Sequence, residues 1–230
     1  MSDGALAALE REVVSCRRCP RLVAWREQVA RDKRAAFAGE EYWGRPIPGF
    51  GDPHARLMIL GLAPAAHGAN RTGRVFTGDR SGDFLFAALH RAGFANQPTS
   101  VHSGDGLALR DAWITAAVRC APPANKPTPA ERDTCLPFAA RELALLARVR
   151  VIVCLGAFAW AAGLRLLRER GVELPQPRPT FGHAAQFDCG PAAPLLLGCF
   201  HPSQQNTFTG RLTPEMLDAV LARARELAGA

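Results

Sequence analysis

Four short apolar segments, each followed by residues that suit a loop, constrain the fold of this chain more than any other feature. They cover residues 56–62, 112–118, 149–155 and 195–200. Each segment is almost continuously apolar, which is typical of strands in a parallel sheet that is covered on both faces. The four segments therefore predict an α/β domain built around a parallel sheet.

Helical patterns lie between these segments. Residues 128–131 read Thr-Pro-Ala-Glu, a capping box with proline at the first helical position, and predict a helix to about residue 147. Further helices are predicted from residue 81 to 93, from about 159 to 170 and from 214 to the C-terminus, and an N-terminal helix is expected to carry the first two cysteines. The Pro/Gly-rich residues 44–53 are expected to form a loop before the first strand.

The alternation of strands and helices predicts a three-layer α/β/α sandwich with a central four-stranded parallel sheet. The length of 230 residues favours one domain over residues 1–230. Ligands of open α/β sheets bind beyond the carboxyl ends of the strands. We therefore expect the chemistry in the segments that follow each strand.

The net charge indicates the class of partner that the protein binds, and the cysteines indicate the cellular compartment in which it works. A net charge of +7 and a pI near 9.5 favour a polyanion such as nucleic acid, although an arginine-rich proteome would give the same balance. The N-terminus lacks the apolar core of a signal peptide, and no stretch approaches the roughly 18 apolar residues of a membrane span. Seven cysteines without a secretion signal indicate a reducing compartment. We expect a cytoplasmic monomer that does not bind membranes.

Four of the cysteines suggest a metal centre. Cys16 and Cys19 form a C-x2-C pair, and Cys120 and Cys135 are separated by fourteen residues. Because the second pair is not C-x2-C, a zinc ribbon fits poorly and a loop that closes onto a larger cluster fits better. Three interpretations remain at this point: a [4Fe-4S] cluster, a zinc ion or unligated thiols. Cys154 and Cys199 lie within apolar strands and are expected in the core.

Two segments after predicted strands carry the polar groups from which a site could be built. Residues 61–79 are rich in small residues, which lets backbone N–H groups approach a ligand, and also contain an aromatic, two arginines and an acid. This segment has neither the P-loop nor the dinucleotide-binding spacing, and a purely structural loop is the alternative. Residues 201–207 place a histidine directly after a buried strand, before a run of hydrogen-bonding side chains. Such a histidine is a candidate site residue, with a structural histidine as the alternative.

Together these motifs resemble the uracil-DNA glycosylase superfamily, and most closely its family 5, the type-b iron–sulfur enzymes. The resemblance is carried by GLAPAAHGANRTGRVFTGD, by HPSQQNT and by the order of the four cysteines, and it extends from Cys16 to the final helix. It implies a [4Fe-4S] cluster with a structural or DNA-orienting role, held by Cys16, Cys19, Cys120 and Cys135. The implied partner is DNA that contains uracil or other deaminated bases.

The resemblance also implies roles for individual residues. Phe76 would stack on a base flipped out of the helix, and the backbone around Gly61, Ala63 and Ala65 would contact the edge of that base. Three side chains would serve catalysis: Asp79 at the water or the sugar, Asn125 at the base or the water, and His201 at the leaving base.

The loop of residues 203–207 would enter the DNA groove. Substrate contacts are expected from Ser203 and Asn206, and contacts with the DNA from Arg71, Arg74, Arg80 and Gln204. For the arginines, solvated surface charge is the alternative.

Two departures from the family pattern affect the expected chemistry. Related glycosylases have an acid early in the first motif, where this chain has Leu62 and Ala63, so Asp79 becomes the leading carboxylate. They also have an asparagine before the third cysteine, where this chain has Ala116 and Ala117. Loss of that amide predicts a broader substrate range: uracil chiefly, with hypoxanthine or oxidised pyrimidines in addition.

The sequence thus predicts a monofunctional glycosylase that initiates base excision repair. The main alternative is a non-catalytic iron–sulfur protein that binds DNA lesions. Relatives that trap uracil-DNA covalently carry a Lys-Arg-Arg-Ile-His insertion, which is absent from this sequence. A zinc-dependent hydrolase is disfavoured because the sequence has no H-x-E or H-E-x-x-H pattern.

Overall fold

The four apolar segments form the centre of the sheet in the computed structural model, which describes residues 2–229 and the side chains from residue 4 onward. The strands are β1 (Phe50–Gly51), β2 (Leu57–Gly61), β3 (Ala112–Ala116), β4 (Val151–Leu155), β5 (Gln186–Phe187) and β6 (Leu195–Cys199). Their order is β1-β3-β2-β4-β6-β5. The central strands β3, β2, β4 and β6 are parallel, and β1 and β5 pair antiparallel at the two edges.

The prediction of a four-stranded sheet is therefore corrected to a six-stranded mixed sheet with four parallel central strands. Each edge strand has only two residues, too few to produce an apolar alternation. One of them, β1, lies within residues 44–53, which the sequence predicted to be a loop.

The described part of the chain contains eight α-helices and two short 3-10 helices, Ala35–Phe37 and Pro123–Asn125. The α-helices are α1 (Ser2–Ser15), α2 (Pro20–Asp32), α3 (Ala69–Thr72), α4 (Arg80–Arg91), α5 (Pro129–Leu145), α6 (Ala157–Glu169), α7 (Gln204–Phe208) and α8 (Pro214–Ala228). The capping box of α5 is formed, since the Glu131 N–H donates to Thr128 Oγ1 over 3.1 Å and Thr128 N–H donates to Glu131 Oε2 over 2.8 Å. The prediction of a single N-terminal helix was wrong. The first helix ends at Ser15, and a second helix begins at Pro20.

Helices flank the sheet on both faces. Ile59, Val153 and Leu197 point to one face and pack in a core with α4 and α8. Their neighbours in the strands point to the other face and pack with α5 and α6. Cys154 and Cys199 are fully buried, which confirms the prediction that they are core residues. Among the described residues, no helix combines the length and the apolar character that crossing a membrane requires.

Candidate active site and cysteine cluster

The segment between β2 and α4, residues 62–79, places Asp79 at the start of a helix; we call it the β2–α4 loop. Asp79 is the N-cap of α4, and its Oδ1 accepts the Gly82 N–H over 3.0 Å. A methyl group at Gly68 would collide with Asp79 Oδ2, so the close approach of chain to carboxyl requires glycine there. Burial raises the pKa of Asp79, and the N–H groups of Gly82 and Ser81 offset part of that rise. The carboxyl group of Asp79 is thus held in a buried place at the start of α4, between the backbone at Gly68 and the N–H groups of the first helical turn.

The rings of Phe76 and His201 lie close together at the carboxyl end of the central strands. Their ring centroids are 6.0 Å apart, with 37° between the planes. Phe76 has a φ of +51°, and its ring covers Gly61 at the end of β2, where the ring carbon Cε2 would lie 2.8 Å from an added Cβ. His201 follows β6, and burial lowers its pKa to about 4. The imidazole is therefore neutral at neutral pH.

The residues after His201 form a short helix rather than the predicted loop. Residues 204–208 make up α7, with Ser203 at its N-cap. Asn206 Nδ2 donates to the His201 carbonyl over 2.8 Å, which fixes the turn beside the imidazole. Gln204 is exposed on the outside of this turn.

Phe208 is a residue that the sequence reasoning missed. Its side chain is 68% exposed at the end of α7, and the Arg80 guanidinium lies 5.4 Å from its ring centroid. Arg80 directly follows Asp79. No local pattern marks this phenylalanine, because an aromatic after a polar run is equally compatible with burial.

The exposed large apolar side chains of the described residues border the β2–α4 loop. They are Trp43, Val101 and Phe208. The Trp43 ring packs on Gly73, and the Val101 carbonyl lies beside Gly78. An apolar rim of this kind marks a surface for a partner.

Two of the arginines predicted to contact DNA phosphates lie inside the protein. Arg71 is 9% exposed and ion-paired with Glu40. Arg74 is 5% exposed and donates to Asp105 Oδ2 over 2.7 Å. Their charges are neutralised within the fold, so they shape the β2–α4 loop, and only the exposed Arg80 of the three is free to meet a phosphate.

Asn125 lies in a turn beyond β3, away from the β2–α4 loop in sequence. The turn, Pro123–Asn125, is 3-10 helical, and Asn125 has a φ of +55°. Its N–H donates to the Pro122 carbonyl over 3.2 Å and its side chain is exposed. Since β3 is parallel to its neighbour β2, the chain leaves β3 at the same end of the sheet at which the β2–α4 loop begins.

The four predicted ligand cysteines line one small cavity. Cys16 lies just after α1, and Cys19 is the N-cap of α2. Both cysteines therefore lie in the segment between these helices, whereas the sequence had predicted them within one helix. Cys120 and Cys135 are each 8% exposed. Among the residues that the structure describes, no three His, Cys, Asp or Glu side chains are placed to hold a single metal ion.

Hydrogen-bond donors surround this cavity. The guanidinium of Arg26, which is 2% exposed, donates to Cys120 Sγ over 2.9 Å. The Arg119 N–H donates to Cys135 Sγ over 3.3 Å. The cavity thus has four thiols, two of which accept N–H hydrogen bonds and a third of which lies at a helix N-terminus, and this set suits thiolate ligation of an iron–sulfur cluster. Arg26 is a second residue that sequence reasoning missed, since nothing local links it to Cys120.

Comparison with known proteins gives the class to which this fold and site belong. Residues 48–225 match the model of the uracil DNA glycosylase superfamily, and the chain belongs to that superfamily.

Within the superfamily the chain is similar to type-5 members. It is 58% identical over 227 residues to a type-5 uracil-DNA glycosylase of Mycobacterium tuberculosis, covering 98% of this chain and 83% of the relative. It is 53% identical over 222 residues to the type-5 uracil-DNA glycosylase of Thermus thermophilus, covering 96% and 98%. A type-4 uracil-DNA glycosylase of Archaeoglobus fulgidus is 30% identical over 156 residues, or 67% of this chain and 61% of the relative. The resemblance to the type-5 family is thereby confirmed.

Proposed function

We propose that this protein is a monofunctional uracil-DNA glycosylase that hydrolyses the N-glycosidic bond of uracil in DNA and so begins base excision repair. The observation that carries the proposal is the pairing of Phe76 with a neutral His201 at the sheet edge that also bears Asp79. Cleavage of a flipped base requires an aromatic face, a neutral hydrogen-bond donor and a buried carboxyl group.

The base must first leave the stack, which costs a few kcal/mol. Phe76 then stacks on the flipped base, and backbone groups around Gly61, Ala63 and Ala65 bind its edge. Arg80 and Gln204 contact the DNA backbone, and Ser203 and Asn206 hold the turn against the substrate. Phe208, at the exposed end of α7, enters the space that the base leaves.

Bond cleavage separates charge. The C1′–N1 bond breaks, its electron pair leaves with the base, and positive charge develops on the sugar. The neutral imidazole of His201 donates a hydrogen bond to the base oxygen, which is worth about 3 kcal/mol or roughly a hundredfold in rate.

Asp79 as a carboxylate stabilises the sugar cation and accepts a proton from the attacking water, whose oxygen bonds to C1′. Asn125 orients that water or the base. The products are free uracil and an abasic sugar.

The same pocket accepts further deaminated bases. No side-chain amide stands at Ala116 or Ala117 to enforce the uracil edge, so recognition rests on stacking and on backbone groups. We propose hypoxanthine as a second substrate, excised more slowly than uracil.

The cluster and the cellular setting complete the proposal. Cys16, Cys19, Cys120 and Cys135 would hold a [4Fe-4S] cluster, which supplies a rigid cross-link and no redox step. We further propose that the chain acts as a single-domain monomer in the cytoplasm.

The test is cleavage of labelled duplexes that contain U·G, U·A or hypoxanthine·T, followed by alkali to break abasic sites. Asp79→Ala and His201→Ala run beside the wild type. Alkali-dependent breaks that fall strongly in both variants support the glycosylase. Tight binding to uracil-DNA without breaks on any substrate would replace it with the lesion-binding alternative.

A further inference from the structure

A groove of about 910 Å³ lies between α1, α2 and residues 42–45. We call it the α1–α2 groove. Its charged lining residues are Glu10, Arg11, Arg17, Arg26, Glu27, Arg31 and Arg45. Five arginines against two glutamates leave a formal excess of three positive charges (5 − 2), and such an excess in a concave surface attracts anions.

Three of these arginines are available to a ligand. Arg17 is ion-paired with Glu27, and Arg26 is committed to Cys120. The remaining three form no ion pair with any described carboxylate and are exposed; they are Arg11, Arg31 and Arg45.

An aromatic ring stands among them. Trp43 is 36% exposed, and the guanidinium of Arg45 lies 5.6 Å from its ring centroid. Trp43 Nε1 donates to the Pro46 carbonyl over 3.1 Å, which fixes the indole in place. The indole is thus held against Gly73 and beside Arg45, and an aromatic side chain in a basic groove is where unpaired bases stack while their phosphates are neutralised.

The groove is attached to the candidate active site. The Trp43 N–H donates to the Arg71 carbonyl over 2.9 Å, and the Gly44 N–H donates to the Asn70 carbonyl over 3.0 Å. Both acceptors lie in the β2–α4 loop, which carries Phe76 and Asp79. The wall of the groove and the loop that would hold the flipped base are therefore joined directly by backbone hydrogen bonds.

One buried polar group in the groove is also unsatisfied. Arg26 lines the groove, and its Nε has no hydrogen-bond partner although the side chain is 2% exposed. An unpaired buried N–H costs free energy unless a water or a ligand meets it.

We propose that the α1–α2 groove binds an unpaired stretch of the DNA that flanks the lesion, with phosphates on Arg11, Arg31 and Arg45 and a base on Trp43. The inference rests on the proposed function and adds a substrate preference to it: uracil beside a single-stranded or locally opened region. An acidic peptide would use the arginines but would leave the exposed indole without a matching group, so DNA is the better fit.

The experiment measures binding of labelled duplexes that contain a non-cleavable 2′-fluoro-deoxyuridine, either fully paired or with a short unpaired flank on one side. The variants are Arg31→Ala/Arg45→Ala, Trp43→Ala and Trp43→Phe. The matched control is Arg168→Ala/Arg223→Ala, which removes two exposed arginines from α6 and α8. Circular dichroism and the melting temperature establish that each variant is folded.

Wild type and control are expected to bind the unpaired-flank duplex several-fold more tightly than the paired one. The double arginine variant should lose this preference, and its plot of log K against log salt should become shallower by about 2. Trp43→Ala should lose the preference with the salt slope unchanged, and Trp43→Phe should retain it.

Variants that keep both the preference and the salt slope would overturn the inference. So would a double arginine variant that loses binding of an oligoglutamate peptide while its DNA binding is unchanged, since the groove would then serve a protein partner. Wild-type protein that excises no uracil would instead overturn the proposed function, so the two failures are distinguishable.

Discussion

The ring centroids of His201 and Phe76 lie 6.0 Å apart, although the two residues are 125 positions apart in the sequence. The parallel arrangement of β2, β4 and β6 brings them together, because each follows the carboxyl end of its strand. An aromatic face and a neutral imidazole are placed side by side by this topology.

Replacing the aromatic wall tests base stacking. Phe76→Leu keeps an apolar side chain over Gly61 but removes the face on which a base stacks. Stacking of a base on an aromatic is worth about 1–3 kcal/mol, so the single-turnover excision rate should fall by roughly 5- to 160-fold. Phe76→Tyr, which keeps the ring face, is the control. A Leu variant within twofold of wild type would show that the ring does not hold the base.

The carboxyl of Asp79 predicts a dependence of activity on pH. Its pKa is raised by burial, and the proposed mechanism needs the ionised form. The single-turnover rate should therefore rise with pH through a pKa above that of an ordinary aspartate, and Asp79→Asn should lose both rate and pH dependence. An Asn variant with wild-type activity would remove Asp79 from the chemistry.

The raised pKa of Asp79 also predicts that its ionised carboxylate lowers the stability of the folded protein at neutral pH. A carboxyl whose pKa is raised on folding stabilises the protein below its unfolded pKa and loses that contribution as pH rises through the folded pKa. At neutral pH, Asp79→Asn should melt at a higher temperature than wild type, since the amide can still cap α4. At low pH, where the carboxyl is protonated, the two melting temperatures should converge; a constant offset would contradict this reading.

The pKa of His201 is lowered on folding, so its contribution to stability changes with pH in the opposite direction to that of Asp79. Its folded pKa of about 4 lies below the ordinary value of 6.5, so the unfolded chain binds the proton more readily. The resulting loss of stability between pH 6.5 and 4 is on the order of 3 kcal/mol. His201→Gln should therefore show a shallower fall of melting temperature in this window. An identical pH profile in both proteins would show that the imidazole is not held neutral by the fold.

A buried ion pair joins the two halves of the cysteine site. Arg119 precedes Cys120, and its guanidinium donates two hydrogen bonds, of 2.9 and 2.6 Å, to Glu142 on α5, the helix that carries Cys135. Breaking such a pair leaves a buried charge, so Arg119→Met should destabilise the protein by roughly 3–5 kcal/mol. The double variant with Glu142→Leu should recover much of that loss in denaturant unfolding. A double variant as unstable as the sum of the singles would contradict this explanation.

Local patterns were enough to predict the central strands and the approximate bounds of α4, α5, α6 and α8, but not those of α1, α2 and α7. The apolar runs that became β2, β3, β4 and β6 are local, and so is the capping box of α5. The proline at position 20 is itself a local signal for the start of a helix, whereas β1 and β5 are too short for any pattern. The order of the motifs also indicated the family, although the roles of individual site residues stay predictions.

The sequence by itself determined which segments form the central sheet and which loops follow it, because hydrophobic periodicity and capping act between residues close in the chain. Only the tertiary structure decided which of the side chains around the site are buried and which are exposed. Arg74 is buried because Asp105 meets it from another loop, and Phe208 is 68% exposed at the end of α7, beside Arg80. The α1–α2 groove likewise exists only where two helices and the segment around Trp43 meet. Burial and ion pairing depend on partners distant in sequence, and only the folded chain brings those partners together.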